Sequence, residues 1–398
     1  MPDAALALSA PDENGALGDE SAGGERAVIL HIITGLTVGG AERMLEKLAT
    51  FPSASRHVVV SLSDLGPIGE AMKCSGVEVY ALEMAGPLSV GRGIRRLRAI
   101  ARTLRPTAVQ GWMTHGNLIA SLLWLTGLGK AALFWGVRQS VNFTGERRRT
   151  KLLTYFSIIL ARTPDAIVYN SQVGARQHEA IGYPPAKRRV IPNGFDLEKY
   201  RPSPRERAAT RSRLDVAEGN LLVGIIARVH PVKNHRGFLE AAAMLAPEYP
   251  EARFLLAGRG VDMAHKLFAS MVAEAGIDPA RLILLDELAD VASVMRCLDI
   301  AANVSVAESF PNVVGEALAC GVPCVVTPVG DSEFLVGDAG IVCKGVDGPA
   351  IADAIRLLIE EGPVGRAARS ARGVERVREL FSLPVVVAEF SRLYRSAS

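Results

Sequence analysis

Short runs of β-branched and apolar residues alternate with helical stretches along nearly the whole chain, and this rhythm restricts the fold more than any other feature. AVILHIIT, HVVVSLS, VEVYAL, AVQGW, LFWGVR and AIVYNS read as buried strands, each followed by a helix-like stretch. The rhythm breaks at DLEKYRPSPRERAATRSRLDVAEGN, a charged, proline-punctuated stretch poor in large apolar residues. It then resumes with LLVGIIAR, ARFLLAG, RLILLD, DIAANVS and PCVVT. Strands that alternate with helices imply βαβ units and parallel sheets covered on both faces. The expected architecture is therefore α/β, with two Rossmann-like, doubly wound domains of parallel sheet facing a central cleft. Residues 26–196 form the first domain, 197–218 a linker and 219–380 the second domain. FSLPVVVAEFSRLYRSAS supplies a final helix over 381–398 that packs back toward the first domain.

The first 25 residues carry six acids and no Lys or Arg, which reads as an acidic disordered leader and not as a secretory signal. The most apolar window, Asn117 to Val137, is interrupted by GLGK, so helix, turn and buried strand fit it better than a membrane span. Five cysteines in a long chain without an export signal point to reduced thiols and a cytoplasmic location. Cys320 and Cys324 flank Gly-Val-Pro but lack the further ligands of a zinc site. The net charge of +3 is unevenly spread: residues 26–200 hold 23 Lys/Arg against 11 Asp/Glu, and residues 201–398 hold 22 against 25. The excess gathers in GRGIRRLRAIARTLRP and GERRRTKLL. These are either solvated helix faces or a surface for an anionic partner such as an acidic membrane. No helix-turn-helix or aromatic-rich basic sheet is recognisable, so nucleic acid is not an expected partner.

Ligands of open α/β sheets bind at the carboxyl ends of the strands, so the chemistry belongs at those edges. After the first strand, TGLTVGGAER lets the backbone of Gly39 and Gly40 approach a ligand; a plain strand-to-helix turn uses the same residues. The spacing is neither the G-x-G-x-x-G of dinucleotide binders, which disfavours a dehydrogenase, nor a P-loop. In IIARVHPVKNH, Arg228 and Lys233 follow a buried strand, as a diphosphate clamp or as two solvated loop cations. In AESFPNVVGEALACGVP, Glu308 ends an apolar strand and Glu316 stands eight positions later, one turn into a helix. The helix start around Asn312 and Val313 can hold phosphate, Glu316 a ribose diol, and Glu308 can face a sugar.

These motifs, with YNS before Gln172, IPNGFD, LAGRG and FSRLY, resemble in order and spacing the retaining GT-B glycosyltransferases of family four. The resemblance covers nearly all of residues 28–395. It implies a nucleotide-sugar donor, on family frequency a UDP-sugar, and no metal or other cofactor. The acceptor is expected to be a glycan or a lipid-linked sugar in cell-surface polysaccharide biosynthesis, with the enzyme peripheral on the inner membrane face. By the same resemblance Glu308 contacts the donor sugar at the reacting carbon, and Glu316 binds the ribose. Arg228 and Lys233 hold the diphosphate, and Gly39 and Gly40 lie near donor phosphate and acceptor. Phe310, Asn312 and Val313 line the donor through their backbone, and His115 reaches the donor sugar or serves only as a helix-start histidine. Arg138, at another strand end, is a candidate acceptor-side cation. Pro328 and Asp331 depart from the family's usual turn after the fifth strand of the second series, where the donor sugar is selected. A nucleotide-sugar epimerase of the same architecture and a non-catalytic nucleotide-binding scaffold remain alternatives.

Overall fold

A computed structural model describes residues 26–84, 86–141 and 148–396. The proposed leader, most of GERRRTKLL's basic run and the last two residues lie outside the described residues or have undescribed side chains. The first domain is a parallel sheet of β1 (Val28–Ile33), β2 (Arg56–Ser61), β3 (Glu78–Ala81), β4 (Ala108–Trp112), β5 (Ala132–Val137), β6 (Ala166–Tyr169) and β7 (Arg188–Val190). Their spatial order is β3-β2-β1-β4-β5-β6-β7. The second sheet holds β8 (Leu222–Ile226), β9 (Arg253–Ala257), β10 (Leu282–Leu285), β11 (Ile300–Asn303), β12 (Cys324–Val326) and β13 (Gly340–Val342), in the order β10-β9-β8-β11-β12-β13. Every pairing between strands is parallel.

Right-handed crossovers decide which helix covers which face. In the first domain the chain moves outward through β1, β2 and β3 in one direction and through β4 to β7 in the other. Helices Gly40–Thr50 and Gly66–Cys74 therefore lie on one face, and Pro87–Leu104, Met113–Leu123 and Arg148–Leu160 on the opposite one. Apolar side chains fill both interfaces: Met44, Leu45 and Met72 under the first face, Leu97, Ala101 and Leu123 under the second. β4 and β5 are buried along their whole length; β5 is apolar throughout, and Gln110, the one polar residue of β4, accepts from the Tyr394 hydroxyl.

The chain crosses between domains twice, side by side. Phe195 donates its amide to the Phe381 carbonyl at 2.8 Å, and Leu383 donates to the Phe195 carbonyl at 2.9 Å. Beyond this junction the last helix, Leu383–Arg395, lies on the first domain, with Val386, Phe390 and Tyr394 packed among Ile29, Trp112 and Phe134. The charged stretch after the first crossing holds a helix, Pro204–Arg213. It docks on the second domain through ion pairs of Arg207 and Arg211 with Asp299, at 2.5 and 3.2 Å. Charge pairing thus anchors a segment whose sequence lacks large apolar residues.

All five cysteines are free; four are buried, and burial pushes the Cys320 thiol up to about 12. Among the described residues no helix is long and apolar enough to cross a membrane.

Candidate active site

The carboxyl ends of both sheets face one cleft of about 280 Å³, lined by Gly40, Arg138, Ser140, Asn170 and Asn193 from the first domain. From the second come Glu308, Ser309, Phe310 and Asn312. Strand β11 ends at Asn303, and the loop after it delivers Glu308 before the helix Asn312–Ala319 begins. The Glu308 carboxylate is held by two donors: Lys233 Nζ at 2.5 Å and Ser305 Oγ at 2.8 Å. Lys233 sits at the end of a short turn, followed by Asn234 in the left-handed region at φ 56. The Asn234 side chain caps the next helix at the Gly237 amide and donates to the Val304 and Val346 carbonyls. The loop carrying Lys233 is thereby fastened to the loop carrying Glu308, which fixes the geometry of the pair.

Arg228 stands apart. It is exposed and has no side-chain partner among the described residues, so one proposed clamp cation is open while the other is committed to Glu308. Glu316 also lies away from the cleft lining, beside Tyr200 and Lys47. Burial pushes its carboxyl above the ordinary range, against the opposing pull of Lys47 and Tyr200. Lys47 comes from the first domain, donates to the Gly194 carbonyl at 2.9 Å and lies 5.7 Å from the Phe195 ring centre.

Both domains contribute to bonds across the cleft. Ser140 Oγ donates to the Glu308 carbonyl at 2.8 Å, and Ser309 Oγ donates to Asn170 Oδ1 at 3.0 Å. Asn193 Nδ2 donates to Asn312 Oδ1 at 2.7 Å, while Asn193 Oδ1 accepts from Arg138. Asp331 accepts from Ser171 Oγ at 3.0 Å and from the amides of Gln172 and Val173 at 2.7 and 2.9 Å. A buried carboxylate of one domain thus caps the start of a helix, Gln172–Ala180, in the other. Gly330, just before it, needs to be glycine: its φ is +57, and a Cβ there would lie 2.5 Å from the Glu308 carbonyl oxygen.

Arg138 is only 8% exposed, and its guanidinium lies 5.0 Å from the Trp112 ring centre and 5.5 Å from that of Phe390. Burial lowers its pKa from the usual arginine range, and among the described residues Nε and Nη2 have no hydrogen-bond partner. A buried cation with unused donors at a cleft wall is arranged to meet an anion.

The cleft therefore brings together Gly40, Arg138, Glu308, Phe310 and Asn312, with Lys233 joined through Glu308. Gly39 is the residue before the helix Gly40–Thr50 and does not line it. The Phe310 ring stacks on Phe195 and meets Phe381 at a tilt in the core, leaving backbone to face the cleft, and Val313 packs against the same core. His115 is exposed near the start of helix Met113–Leu123, outside the lining residues. Ser140, Asn170 and Asn193 escaped the sequence reading, although Asn170 and Asn193 fall in YNS and IPNG. Lys47 was missed too, since a lysine on an amphipathic helix looks solvated until the fold places it between domains.

Comparison with known proteins extends this picture. The family described as glycosyl transferases group 1 matches residues 220–361, and glycosyltransferase family 4 matches residues 38–199. The chain is 30% identical over 328 residues to the D-inositol 3-phosphate glycosyltransferase of Geodermatophilus obscurus, covering 75% of this chain and 71% of that protein. It is 27% identical over 416 residues to the protein of the same name from Salinispora tropica, covering 96% and 82%. Among solved structures, Anabaena Alr3699/HepE in complex with UDP superposes with a TM-score of 0.82 at 21% identity, over 92% of this chain and 99% of that one. WaaG, a glycosyltransferase involved in lipopolysaccharide biosynthesis, gives 0.66 at 14%, over 91% and 99%. The chain thus belongs to glycosyltransferase family 4, the group 1 glycosyltransferases, and carries their GT-B fold of two facing Rossmann-like domains.

Proposed function

We propose that this glycosyltransferase moves a sugar, with retention of configuration, from a UDP-sugar to a glycan or lipid-linked acceptor in cell-surface polysaccharide assembly, at the inner face of the membrane. The observation that carries the reading is Glu308, held by Lys233 and Ser305 at the mouth of helix Asn312–Ala319, within a cleft closed by both domains. The UDP-bound Anabaena protein of the same fold supports the choice of nucleotide. The unpartnered donors of Arg138 favour an acceptor that bears an anionic group, in keeping with relatives named for an inositol phosphate.

The reaction breaks the bond between the sugar's anomeric carbon and the diphosphate oxygen. Its barrier falls as growing phosphate charge is stabilised, and Arg228, Lys233 and the free amides of the helix start are the donors for that charge. Each such donor contributes about 2–4 kcal/mol in a water-poor site. Lys233 exchanges Glu308 for phosphate when the donor enters, leaving the carboxylate to orient the sugar and offset its cationic character. The acceptor attacks on the face from which phosphate departs, and the leaving oxygen takes its proton. Glu316 holds the ribose, and Gly39, Gly40 and His115 complete the donor side. No metal is required in this scheme, because the diphosphate charge is met by cations and amides of the chain.

The test is to incubate the protein with UDP-sugars and candidate acceptors in the presence of chelator and follow UDP release and the anomeric proton of the product. Acceptor-dependent UDP release with the donor's anomeric configuration kept is the expected result. Sugar interconversion without acceptor would make it an epimerase, and inverted product would remove the retaining scheme.

A further inference from the structure

We infer that the first domain docks on an anionic lipid bilayer through the outer face of helices Pro87–Leu104, Met113–Leu123 and Arg148–Leu160. The three lie side by side on the sheet face opposite the last helix. Ile94 and Leu97 of the first meet Ile119 and Leu123 of the second, and the second packs against the third. Their outward side is unusual in two independent ways.

The first is apolar exposure. Tyr155, Phe156 and Ile159 are 67, 55 and 70% exposed, and they stand at i, i+1 and i+4, on one side of their helix. Leu122 and Leu125, on the neighbouring helix and the turn after it, are 39 and 56% exposed. Three large side chains are grouped on one helix and are not a scatter of single residues, and the neighbouring helix adds two exposed leucines, of which Leu122 lies toward the first helix.

The second is charge. Between Glu83 and Glu146 the sequence contains no Asp or Glu, so nothing on the first two helices neutralises their cations. Arg92, Arg95, Arg102 and Lys130 are exposed, and none has an acidic partner among the described residues. Exposed large apolar side chains and unpaired cations on one face match the acyl boundary and phosphates of a bilayer surface. Single-stranded nucleic acid would use stacking rings with the cations and leave Ile159, Leu122 and Leu125 unaccounted for. A symmetric dimer through this face would set arginines against arginines. Helix Met113–Leu123 starts at the cleft edge, where Thr114 bonds Gln139, so a protein docked on this face would hold its cleft close to the bilayer. The inference stands on this face itself; joined to the proposed reaction, it brings a lipid-borne acceptor within reach.

The experiment is co-sedimentation of the full chain with vesicles of phosphatidylcholine alone, or of phosphatidylcholine mixed with phosphatidylglycerol, at low and high salt. UDP calorimetry on the same preparations reports separately on the donor site. Binding is expected only to the mixed vesicles and to weaken with salt. Arg92→Glu/Arg95→Glu should lower partitioning about 25-fold or more, since each cation near such a surface contributes roughly fivefold. Phe156→Ser/Ile159→Ser should weaken binding even at low salt, with the heat of UDP binding unchanged in both variants. Equal binding to both vesicle types, binding to neither, or unchanged binding in both variants would overturn the inference. So would sedimentation with an RNA homopolymer in place of the vesicles.

Discussion

The two walls of the cleft are built differently. The wall from the second domain comes from two compact loops: one carries Lys233, the other runs from Ser305 to Asn312, and Asn234 ties them together. The wall from the first domain draws on the ends of separate elements, with Gly40 after β1, Arg138 and Ser140 after β5, Asn170 after β6 and Asn193 after β7. On the proposed reaction the compact wall handles the nucleotide-sugar, a fixed task repeated in every turnover, and the assembled wall, which can change one residue at a time, recognises the acceptor. The comparison teaches that the two halves of one reaction are under different structural constraints, and it can be broken experimentally.

The largest effect is expected from Glu308→Gln. The variant keeps the shape but loses the charge held by Lys233 and Ser305, so turnover should fall about 10²–10³-fold. Affinity for UDP should stay within about twofold of the parent. Steady-state rates and calorimetry on one preparation check both, and equal losses in rate and binding would mean that Glu308 serves the nucleotide.

Acid should act on both domains. Burial lowers His57 to about 4 in the first, where its Nδ1 lies 2.9 Å from Nε2 of buried His31, and lowers His235 to about 4 in the second. A histidine whose folded pKa is depressed is kept neutral in the fold, while the unfolded chain takes up protons below about 6.5. Its contribution is fully present above that pH and is lost as pH falls toward 4, up to roughly 3 kcal/mol for each group. Thermal unfolding followed from pH 7 to 4 should show this fall, and His57→Gln should flatten it. An unchanged slope in that variant would remove His57 from the account.

Asn193→Ala tests the assembled wall. It removes the partner of Asn312 across the cleft and the one side-chain acceptor that Arg138 has among the described residues, leaving a buried cation with none of its three nitrogens paired to them. The cost is about 1–3 kcal/mol. It should appear as a higher KM for acceptor with little change for donor; a donor-only defect would reverse the division between the walls. The smallest effect belongs to Asp331→Ala, which loses the acceptor for the Gln172 and Val173 amides at the start of helix Gln172–Ala180 while the Ser171 cap on Gly174 remains, at about 0.5–2 kcal/mol. Faster amide exchange at Gln172 and Val173, with turnover of the donor by water rising relative to acceptor, is the expected signature. Unaltered exchange there would show that the cap is not what holds the domains together.

The same contrast explains what the sequence disclosed. Eleven strands were legible because each is a run rich in apolar residues, most of them buried. The two others, β7 and β13, are three-residue edge strands; β7 is Arg-Arg-Val and β13 opens on Gly340, so neither shows the apolar run that made the equally short β12 legible. Glu308 and Lys233 were legible as charges at the ends of apolar strands. Asn170 and Asn193 were not, because an asparagine in a loop has many ordinary reasons to be there. Asp331 stood out as a departure at its turn, but its work, capping a helix more than 150 residues away in sequence, exists only once both domains have met. Lys47 and Glu316 likewise look like surface charges until folding buries them together.

The central claim is that a nucleoside diphosphate lies at the start of helix Asn312–Ala319, with Glu316 on the ribose and Glu308 reserved for the sugar. Calorimetric titration of UDP into the parent, Glu316→Ala and Glu308→Ala proteins, first with chelator and then with magnesium, tests it most directly. The account predicts metal-independent binding to the parent, clear weakening in Glu316→Ala and near-parental affinity in Glu308→Ala. Binding that needs magnesium, no binding at all, or the same affinity in both variants would contradict it.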